Sequence, residues 1–360
     1  MIYKLILALR NLRYRGGAHT VKADVPTVCV GNITAGGTGK TPHTELILSH
    51  ILGRGTKNSP AVLSRGYKRK SKGFRIVEAG STSALCGDEP LQIKRKFPAV
   101  TVAVDKDRVR GCRILAHPEE ASGLRKYTAP EFPAADLIIL DDAYQYRRLK
   151  ADLDIVLTPF SRPVSKDSLL PAGRLRDLKS RLYTADAVIV TKCPYELGPE
   201  EKAEHAALLG FSSYDAASCT ARRGGRSLTL LFSLLAYGRP EPVFPEADSR
   251  YTYSSKVVLV TGIADDKPLL DQLSGRYHIV SHLTFPDHHA YSSRDIKSLV
   301  LHMRRNPTAA FFTTEKDATR LRDLPDFPQE MRKRFFYIPI TVDFPVPGER
   351  EALETLIDKL

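Results

Sequence analysis

A glycine-rich loop near the N-terminus limits the possible folds of this chain more than any other feature. The segment VGNITAGGTGKTP ends in Gly39-Lys40-Thr41, as a phosphate-binding loop G-x-x-x-x-G-K-[ST] does, but Thr34 replaces the first glycine. Such a loop follows a β-strand and opens a helix, because its backbone N–H groups and the helix N-terminus together form the anion site. The β-rich run from Val25 to Val30 and the helical pattern after Thr41 meet that requirement.

The residue types in this loop suit a nucleotide triphosphate and Mg²⁺. Lys40 would reach the β- and γ-phosphates, and Thr41 would bind Mg²⁺ through its hydroxyl, while the glycines let the backbone approach closely. The alternative is a glycine-rich turn that binds no nucleotide. The predicted phosphate-binding residues are Thr34, Ala35, Gly36, Gly37, Thr38, Gly39, Lys40 and Thr41.

Short apolar runs separated by helical segments predict the fold class. Such runs indicate a doubly wound, mainly parallel sheet of the type found in phosphate-loop NTPases. After a polar stretch and the proline-rich YGRPEPVFPEADSR, four more strand-like segments predict a second, smaller α/β unit. We expect a basic amphipathic helix at residues 1–22, a phosphate-loop domain at 23–221, a linker at 222–253, and a smaller domain at 254–360 that contributes to the active-site cleft. The runs are Pro60 to Leu63, Thr101 to Val104, Leu137 to Leu140, Ile155 to Leu157 and Ala187 to Val190.

An acidic pair follows one of these predicted strands. Leu137 to Leu140 is followed by Asp141 and Asp142, where Mg²⁺-holding carboxylates lie in such folds. The alternative is a helix N-cap. A GTPase would also carry an N/T-K-x-D segment, whereas Thr191-Lys192-Cys193-Pro194 lacks the aspartate, and no glycine follows the acidic pair at the required offset. ATP is therefore favoured over GTP.

The composition limits the partners and the compartment. Lys and Arg number 54 against 41 Asp and Glu, a net charge of +13, so the surface should attract an anionic partner. The five cysteines form no C-x-x-C pair, which favours a reducing compartment over a disulfide framework or a zinc site. A nucleic-acid-dependent ATPase would also explain the charge, but the sequence contains no recognisable nucleic-acid module.

The N-terminal segment MIYKLILALRNLRYRGG predicts an interfacial helix. Its apolar residues recur at helical spacing, and its charges are all basic up to Asp24. Its apolar part is too short for a transmembrane helix or a secretory signal. The alternative is a helix packed on the protein's own core. The apolar positions are Ile2, Leu5, Ile6, Leu9 and Leu12, and the basic ones are Lys4, Arg10, Arg13 and Arg15.

Several sequence blocks together resemble the tetraacyldisaccharide 4′-kinases of lipid A synthesis. They are VGNITAGGTGKTP, LSRGYKRKSKGF, GDEPLQI, DKDRV, LDDAYQYRRLKADLDIVL, LLPAGRLRD, VTGIAD, FPDHHAYSSRDI and TTEKDATRL, in family order. The family also has threonine in place of the loop's first glycine. The resemblance implies transfer of the ATP γ-phosphoryl group to the 4′-hydroxyl of a tetraacyl glucosamine disaccharide 1-phosphate. It further implies a peripheral enzyme, expected to be a monomer, at the anionic cytoplasmic face of the bacterial inner membrane.

The resemblance also implies roles for individual residues. Asp88 of GDEP matches the proposed catalytic base, and His288 of FPDHH matches its histidine partner, with the adjacent His289 left as an alternative. Asp141 and Asp142 match the acidic metal pair. Tyr146 and Arg174 depart from the family pattern, so no role is assigned to them. Polar residues around the active site are matched by Arg65, Glu89, Arg108, Gln145 and Arg176.

The chemistry of the residues agrees with these roles. Phosphoryl transfer requires cations around the transferring group and a carboxylate that accepts the hydroxyl proton. Without the resemblance, Asp88 and Glu89 could instead cap a helix, and His288 could be structural. Basic clusters such as Lys68-Arg69-Lys70 could be solvated or could meet lipid phosphates. A soluble small-molecule kinase remains an alternative, although it would not need the amphipathic N-terminal helix.

Overall fold

The computed structural model describes residues 2–14, 17, 19–124 and 127–360, without the side chain of Ile2. Met1 and Arg15 of the predicted N-terminal helix thus lie outside the described residues. The helices are α1 (Ile2–Arg13), α2 (Lys40–Arg54), α3 (Ser83–Cys86), α4 (Asp88–Lys96), α5 (Arg108–Ala116), α6 (Pro199–Leu209), α7 (Lys267–Ser274), α8 (Ser293–Arg305), α9 (Glu315–Arg322), α10 (Gln329–Arg332) and α11 (Pro347–Ile357).

The strands form one large and two smaller sheets. The bounds are β1 (Thr27–Asn32), β2 (Pro60–Ser64), β3 (Arg75–Ile76), β4 (Thr101–Val104), β5 (Leu137–Asp141), β6 (Leu153–Pro159), β7 (Ala187–Thr191), β8 (Ser213–Asp215), β9 (Thr220–Arg223), β10 (Arg226–Phe232), β11 (Leu234–Tyr237), β12 (Glu241–Pro242), β13 (Lys256–Thr261), β14 (His278–Thr284), β15 (Ala310–Thr314), β16 (Phe335–Ile338) and β17 (Ile340–Asp343).

The large sheet has ten strands in the order β3-β4-β2-β5-β1-β6-β7-β10-β9-β8. The pairs from β4 to β10 are parallel, and the strands at both edges are antiparallel. Strand β1 is buried along its whole length, with Val28 in one core and Cys29 in the other, because successive side chains point to opposite faces. Helices α2, α4 and α11 cover the Val28 face, while α5 and α6 cover the other. This confirms the predicted doubly wound, mainly parallel sheet.

The polar stretch Arg222 to Ser227, expected to begin the linker, instead lies in a hairpin of the large sheet. Gly224 and Gly225 have φ of 54° and 79° and make the two-residue turn between β9 and β10. Glycines accept this left-handed backbone, which matches the twist of a hairpin. The large sheet therefore continues to Phe232. The arginines that flank the turn are exposed, so the polar sequence gave no indication of strands here.

A five-stranded sheet, in the order β12-β16-β15-β13-β14, forms the second unit. Strands β13, β14, β15 and β16 pair in parallel, in agreement with the predicted smaller α/β unit. The last 21 residues, from Ile340 onward, pack instead on the large unit. Strand β17 pairs with β11, and Val342, Phe344, Leu353 and Ile357 enter a core of the large sheet. Glu349 on α11 forms a buried ion pair with Lys202 on α6 at 2.7 Å and accepts the Phe232 N–H.

Helix α1 lies against the large unit by one face. Leu7 is buried, the Tyr3 hydroxyl donates to the Arg176 carbonyl, and Arg10 pairs with Asp177 at 3.1 Å. The opposite face points outward, with Leu5, Ile6, Leu9 and Leu12 between 55% and 63% exposed. These four side chains therefore do not pack on the protein's own core. No helix within the described ranges combines the length and apolarity needed to cross a membrane.

Candidate active site

The glycine-rich loop lies between β1 and α2 at the carboxyl edge of the large sheet. Gly36 and Gly39 have φ of 108° and 84°, a backbone region that favours glycine, and Gly39 caps the N-terminus of α2. Thr38 is fixed from two sides: Asn32 Nδ2 donates to its hydroxyl at 2.6 Å, and the Thr191 hydroxyl donates to its carbonyl at 3.0 Å. The loop is thus held open toward solvent at Gly36 and Gly37, which are exposed.

A second segment holds the beginning of the loop. The Ala35 N–H donates to the Arg174 carbonyl at 2.7 Å, and the Arg176 N–H donates to the Ile33 carbonyl at 2.9 Å. Thr34, in place of the usual glycine, is buried in this pairing. A threonine fits here because the chain runs as a short extended ladder, which suits a β-branched residue.

The acidic pair lies at the end of the neighbouring strand β5. Asp141 is buried, and burial together with Asp142 raises the pKa of its carboxyl to about 6. Its Oδ2 accepts a hydrogen bond from the Ser64 hydroxyl at 3.0 Å. Its Oδ1 is buried without a hydrogen-bond partner among the described residues. A buried carboxylate oxygen of this kind is a suitable ligand for a hard cation.

Asp142 faces the loop instead. Lys40 Nζ lies 3.7 Å from its Oδ1, and Arg176 donates to both of its oxygens. Burial favours the protonated form, but Lys40 and Arg176 outweigh burial and lower the pKa of Asp142. Thr41, at the start of α2, belongs to the same edge of the sheet. The candidate metal set of Thr41, Asp141 and Asp142 therefore has an ionised member and an unpartnered oxygen, and it fits Mg²⁺.

Asp88 begins helix α4 and meets residues of the second unit. His288 Nδ1 lies 2.9 Å from Asp88 Oδ2, and Arg320 Nε donates to the same oxygen at 2.8 Å. Burial of Asp88 would raise its pKa, but the hydrogen bond from His288 and the charge of Arg320 lower it to about 2. The carboxylate is therefore ionised at neutral pH. The structure brings Asp88 and His288 together although 200 residues separate them in the sequence.

The neighbouring histidine has a different environment. His289 Nε2 lies 3.0 Å from Asp295 Oδ2, and its ring stacks on Phe285 at 4.7 Å. Asp295 also accepts from Ser292 at the start of α8, so His289 supports a helix cap. Of the two histidines that the sequence left as alternatives, His288 is the one that contacts Asp88.

Glu89 connects the Asp88 cluster to the acidic pair. Its Oε1 lies 2.9 Å from Lys316 Nζ, and its charge also acts, after burial and Asp142, to raise the pKa of Asp141. Asp88, Glu89 and His288 place ligand atoms within 4.8 Å of one another, as a metal site would. Lys316 and Arg320 already supply positive charge there, so this cluster suits a cation less well than the acidic pair does.

Three further polar residues that the sequence predicted lie near the carboxyl edge of the large sheet: Gln145, Arg108 and Arg65. Gln145 donates to the Asn32 carbonyl, which supports the strand just before the loop. Arg108 is buried at the start of α5, where burial, and to a smaller extent Arg65, lower its pKa. Its Nη2 donates to the Asp142 carbonyl at 3.5 Å. Arg65 follows β2 and is exposed.

Lys316 and Arg320 also lie at this site, although no sequence motif indicated a role for either. Both belong to the TTEKDATRL block, and α9 begins directly after the buried strand β15. The carboxyl end of a parallel strand is a common place for functional residues. That position was the one signal that could have drawn attention to them. Of the residues left without a role, Tyr146 donates to Asp107 Oδ1 at 2.7 Å.

Comparison with known proteins gives consistent results. A family model described as tetraacyldisaccharide-1-P 4′-kinase matches residues 1–360. A tetraacyldisaccharide 4′-kinase of Parabacteroides distasonis is 41% identical over 345 residues, which cover 94% of this chain and 86% of that protein. One of Cytophaga hutchinsonii is 37% identical over 369 residues, with 100% and 93% covered. The crystal structure of "apo" form LpxK from Aquifex aeolicus in complex with ATP superposes with a TM-score of 0.70 at 26% identity, covering 99% of this chain and 96% of that one.

Proposed function

Because this chain belongs to the tetraacyldisaccharide 4′-kinase family, we propose that it phosphorylates the 4′-hydroxyl of a tetraacyl glucosamine disaccharide 1-phosphate with ATP, using Asp88 as base. One observation supports this most strongly: Asp88 of the large unit meets His288 of the second unit at 2.9 Å, next to Glu89, whose charge acts on Asp141 of the acidic pair. Phosphoryl transfer needs such a carboxylate near the cations that hold the phosphates.

The phosphate loop would hold the triphosphate of ATP. Backbone N–H groups from Gly36 to Thr41 and the N-terminus of α2 would face the anion, and Lys40 would supply a point charge near the β- and γ-phosphates. Lys40 and Arg176 also lie against Asp142, whose charge they neutralise.

Thr41, Asp141 and Asp142 would hold Mg²⁺, which neutralises charge on the β- and γ-phosphates when bound. Ser64 fixes Oδ2 of Asp141, which leaves Oδ1 as the oxygen that would bind the metal. The burial that raises its pKa to about 6 also means that cation binding must displace a proton at low pH.

Asp88 would accept the acceptor's proton. The 4′-oxygen forms its bond to the γ-phosphorus while the bond from that phosphorus to the β-phosphate oxygen breaks, and ADP leaves. A carboxylate with a pKa of about 2 is a weak base. It can still act in a loose transition state, because the hydroxyl becomes acidic only as its bond to phosphorus forms. His288 holds Asp88 in place through Nδ1.

The exposed apolar face of α1 supports a location on an anionic membrane surface, which we propose to be the cytoplasmic face of the inner membrane. Leu5, Ile6, Leu9 and Leu12 form this face, and Lys4 and Arg13 on the same helix are also exposed. An apolar stripe flanked by basic residues is typical of interfacial helices. The lipid substrate lies in the same surface, so binding there would bring enzyme and acceptor together.

The direct test uses purified protein with γ-labelled ATP, Mg²⁺ and the tetraacyl disaccharide 1-phosphate in detergent. Label should appear on the lipid, and Asp88→Asn should remove at least about 10²-fold of the rate, as expected for a general base. A disaccharide whose 4′-hydroxyl is replaced by hydrogen serves as the matched acceptor control. Label on that control lipid, or none on the natural acceptor, would contradict the proposal.

A further inference from the structure

Arg320 is more deeply buried than Lys316 or His288, the other basic residues beside the candidate base. It lies on α9 of the second unit and is 6% exposed. Its Nη1 donates to Asp317 Oδ1 at 2.8 Å and to the Gly262 carbonyl at 3.1 Å. These two acceptors belong to its own unit, so they fix the guanidinium before it contacts Asp88. Its Nε and Nη2 then lie 2.8 and 2.7 Å from Asp88 Oδ2.

The contacts of Asp88 are unevenly divided between its two oxygens. His288 Nδ1, Arg320 Nε and Arg320 Nη2 all reach Oδ2. A carboxylate held by one oxygen in this way cannot rotate without losing two charge-assisted hydrogen bonds and the ion-pair contact to Nη2. Its other oxygen, Oδ1, keeps its lone pairs for a further donor. In the proposed reaction that donor is the acceptor hydroxyl.

We propose that Arg320 is a positioning residue for phosphoryl transfer, which turns Oδ1 of Asp88 toward the acceptor hydroxyl by fixing Oδ2. The inference rests on the proposed role of Asp88 as base. Arg320 belongs to the second unit, whereas Asp88 belongs to the first. Asp88 is therefore oriented only while α9 packs on α4. Arg95 and Asp323 join the same two helices at 2.9 Å without contacting Asp88.

The charged groups around Asp88 come from three elements. Arg320, Asp317 and Lys316 are on α9, His288 and Asp287 are on the loop after β14, and Glu89 is on α4. Cations on α9 keep Asp88 ionised, and removing one of them raises the pKa of the carboxyl. An adjacent opposite charge changes a carboxyl pKa by about 1–3 units. Loss of Arg320 should therefore raise the pKa of the Asp88 carboxyl from about 2 by about that amount.

The test compares Arg320→Met with Arg95→Met, which removes an arginine from the same helix contact but not from Asp88. We expect Arg320→Met to lower kcat by about 10²-fold, the cost of a misplaced reacting group, with an unchanged KM for ATP. In saturating Mg²⁺, its ratio of kcat at pH 4 to kcat at pH 8 should fall relative to the unmodified enzyme. Arg95→Met should leave that ratio unchanged. Thermal melting identifies the variants that are folded.

Arg320→Lys keeps the charge but not the two-nitrogen contact, so it should recover part of kcat and restore the pH ratio. If Arg320→Met does not fold, Arg320→Lys is used as the test variant instead. Wild-type kcat in either variant, or a folded Arg320→Met with the wild-type pH ratio, would overturn the inference. Asp88→Asn distinguishes a failure of the inference about Arg320 from a failure of the proposed role of Asp88. If it is inactive while Arg320→Met is fully active, only the inference fails, and if it is active, the role of Asp88 fails with it.

Discussion

Replacing the exposed apolar side chains of α1 with serine should release the protein from anionic vesicles. Leu5, Ile6, Leu9 and Leu12 are 62%, 55%, 61% and 63% exposed, so a membrane can still cover more than half of each. Full burial of such a side chain contributes about 1.5–3 kcal/mol to the free energy of transfer from water. Because about 60% of each side chain is exposed, membrane binding would gain about 1–2 kcal/mol per residue. The four together contribute about 4–7 kcal/mol as an upper value.

That free energy corresponds to a fall of about 10³–10⁵-fold in vesicle affinity. Sedimentation with vesicles of phosphatidylglycerol and phosphatidylethanolamine measures it, at low and high salt. Exposed Lys4 and Arg13 each add about 1 kcal/mol, and salt screens that part but not the apolar part. The fourfold serine variant should therefore keep only weak, salt-sensitive binding.

A matched control changes exposed apolar residues elsewhere. Leu52, Leu301 and Val346 are 41%, 51% and 47% exposed on the body of the protein. Their replacement with serine should leave vesicle binding unchanged, and both variants should phosphorylate detergent-dispersed lipid at similar rates. Equal vesicle binding by the control and the α1 variant would refute the assignment of α1 as the membrane contact.

Three further predictions concern the site and the core. Lys40→Ala should lower turnover by at least about 10²–10³-fold with an unchanged melting temperature, since the charge beside the phosphates is lost, and near-normal turnover would remove the phosphate-loop assignment. Asp88→Ala and His288→Ala should each lower kcat by about 10²–10⁴-fold, and the double variant should lose far less than the product, because the two residues act as a unit. Multiplicative losses in single-turnover assays would instead indicate independent roles. Lys202→Met should reduce the free energy of unfolding by about 3–5 kcal/mol in urea titrations, because Glu349 keeps a buried charge, and a loss below about 1 kcal/mol would contradict that burial.

Local patterns were sufficient to predict the doubly wound fold of the large unit. The strand before the loop, the glycines, and the helix after Lys40 are contiguous in the chain, so each supports the interpretation of the next. The acidic pair was predicted because it directly follows a buried strand. Asp88 and His288 came only from the resemblance, which the family match confirms at the level of the family. Their roles in the reaction remain predictions.

The features that the sequence analysis missed depend on contacts between distant segments. Arg320 meets Asp88 across 232 residues, and no periodicity of α9 indicates which carboxylate it contacts. The hairpin turn at Gly224 was concealed because its flanking arginines point to solvent. The return of β17 and α11 to the large sheet was missed for a similar reason, since an amphipathic pattern shows that a face is buried but not against what.

The pairing of β11 with β17 means that the second unit is inserted into the first rather than appended to it. The chain leaves the large unit at Leu234–Tyr237 and re-enters it through Ile340–Asp343, side by side and antiparallel. A single cut therefore cannot separate the units, because truncation before β17 also removes Leu353 and Ile357 from the core around α2. A separate phosphate-loop fragment would need residues 1–237 joined to 340–360 by a short turn. Any movement of the second unit must likewise bend two strands together, which restricts the directions in which it can open.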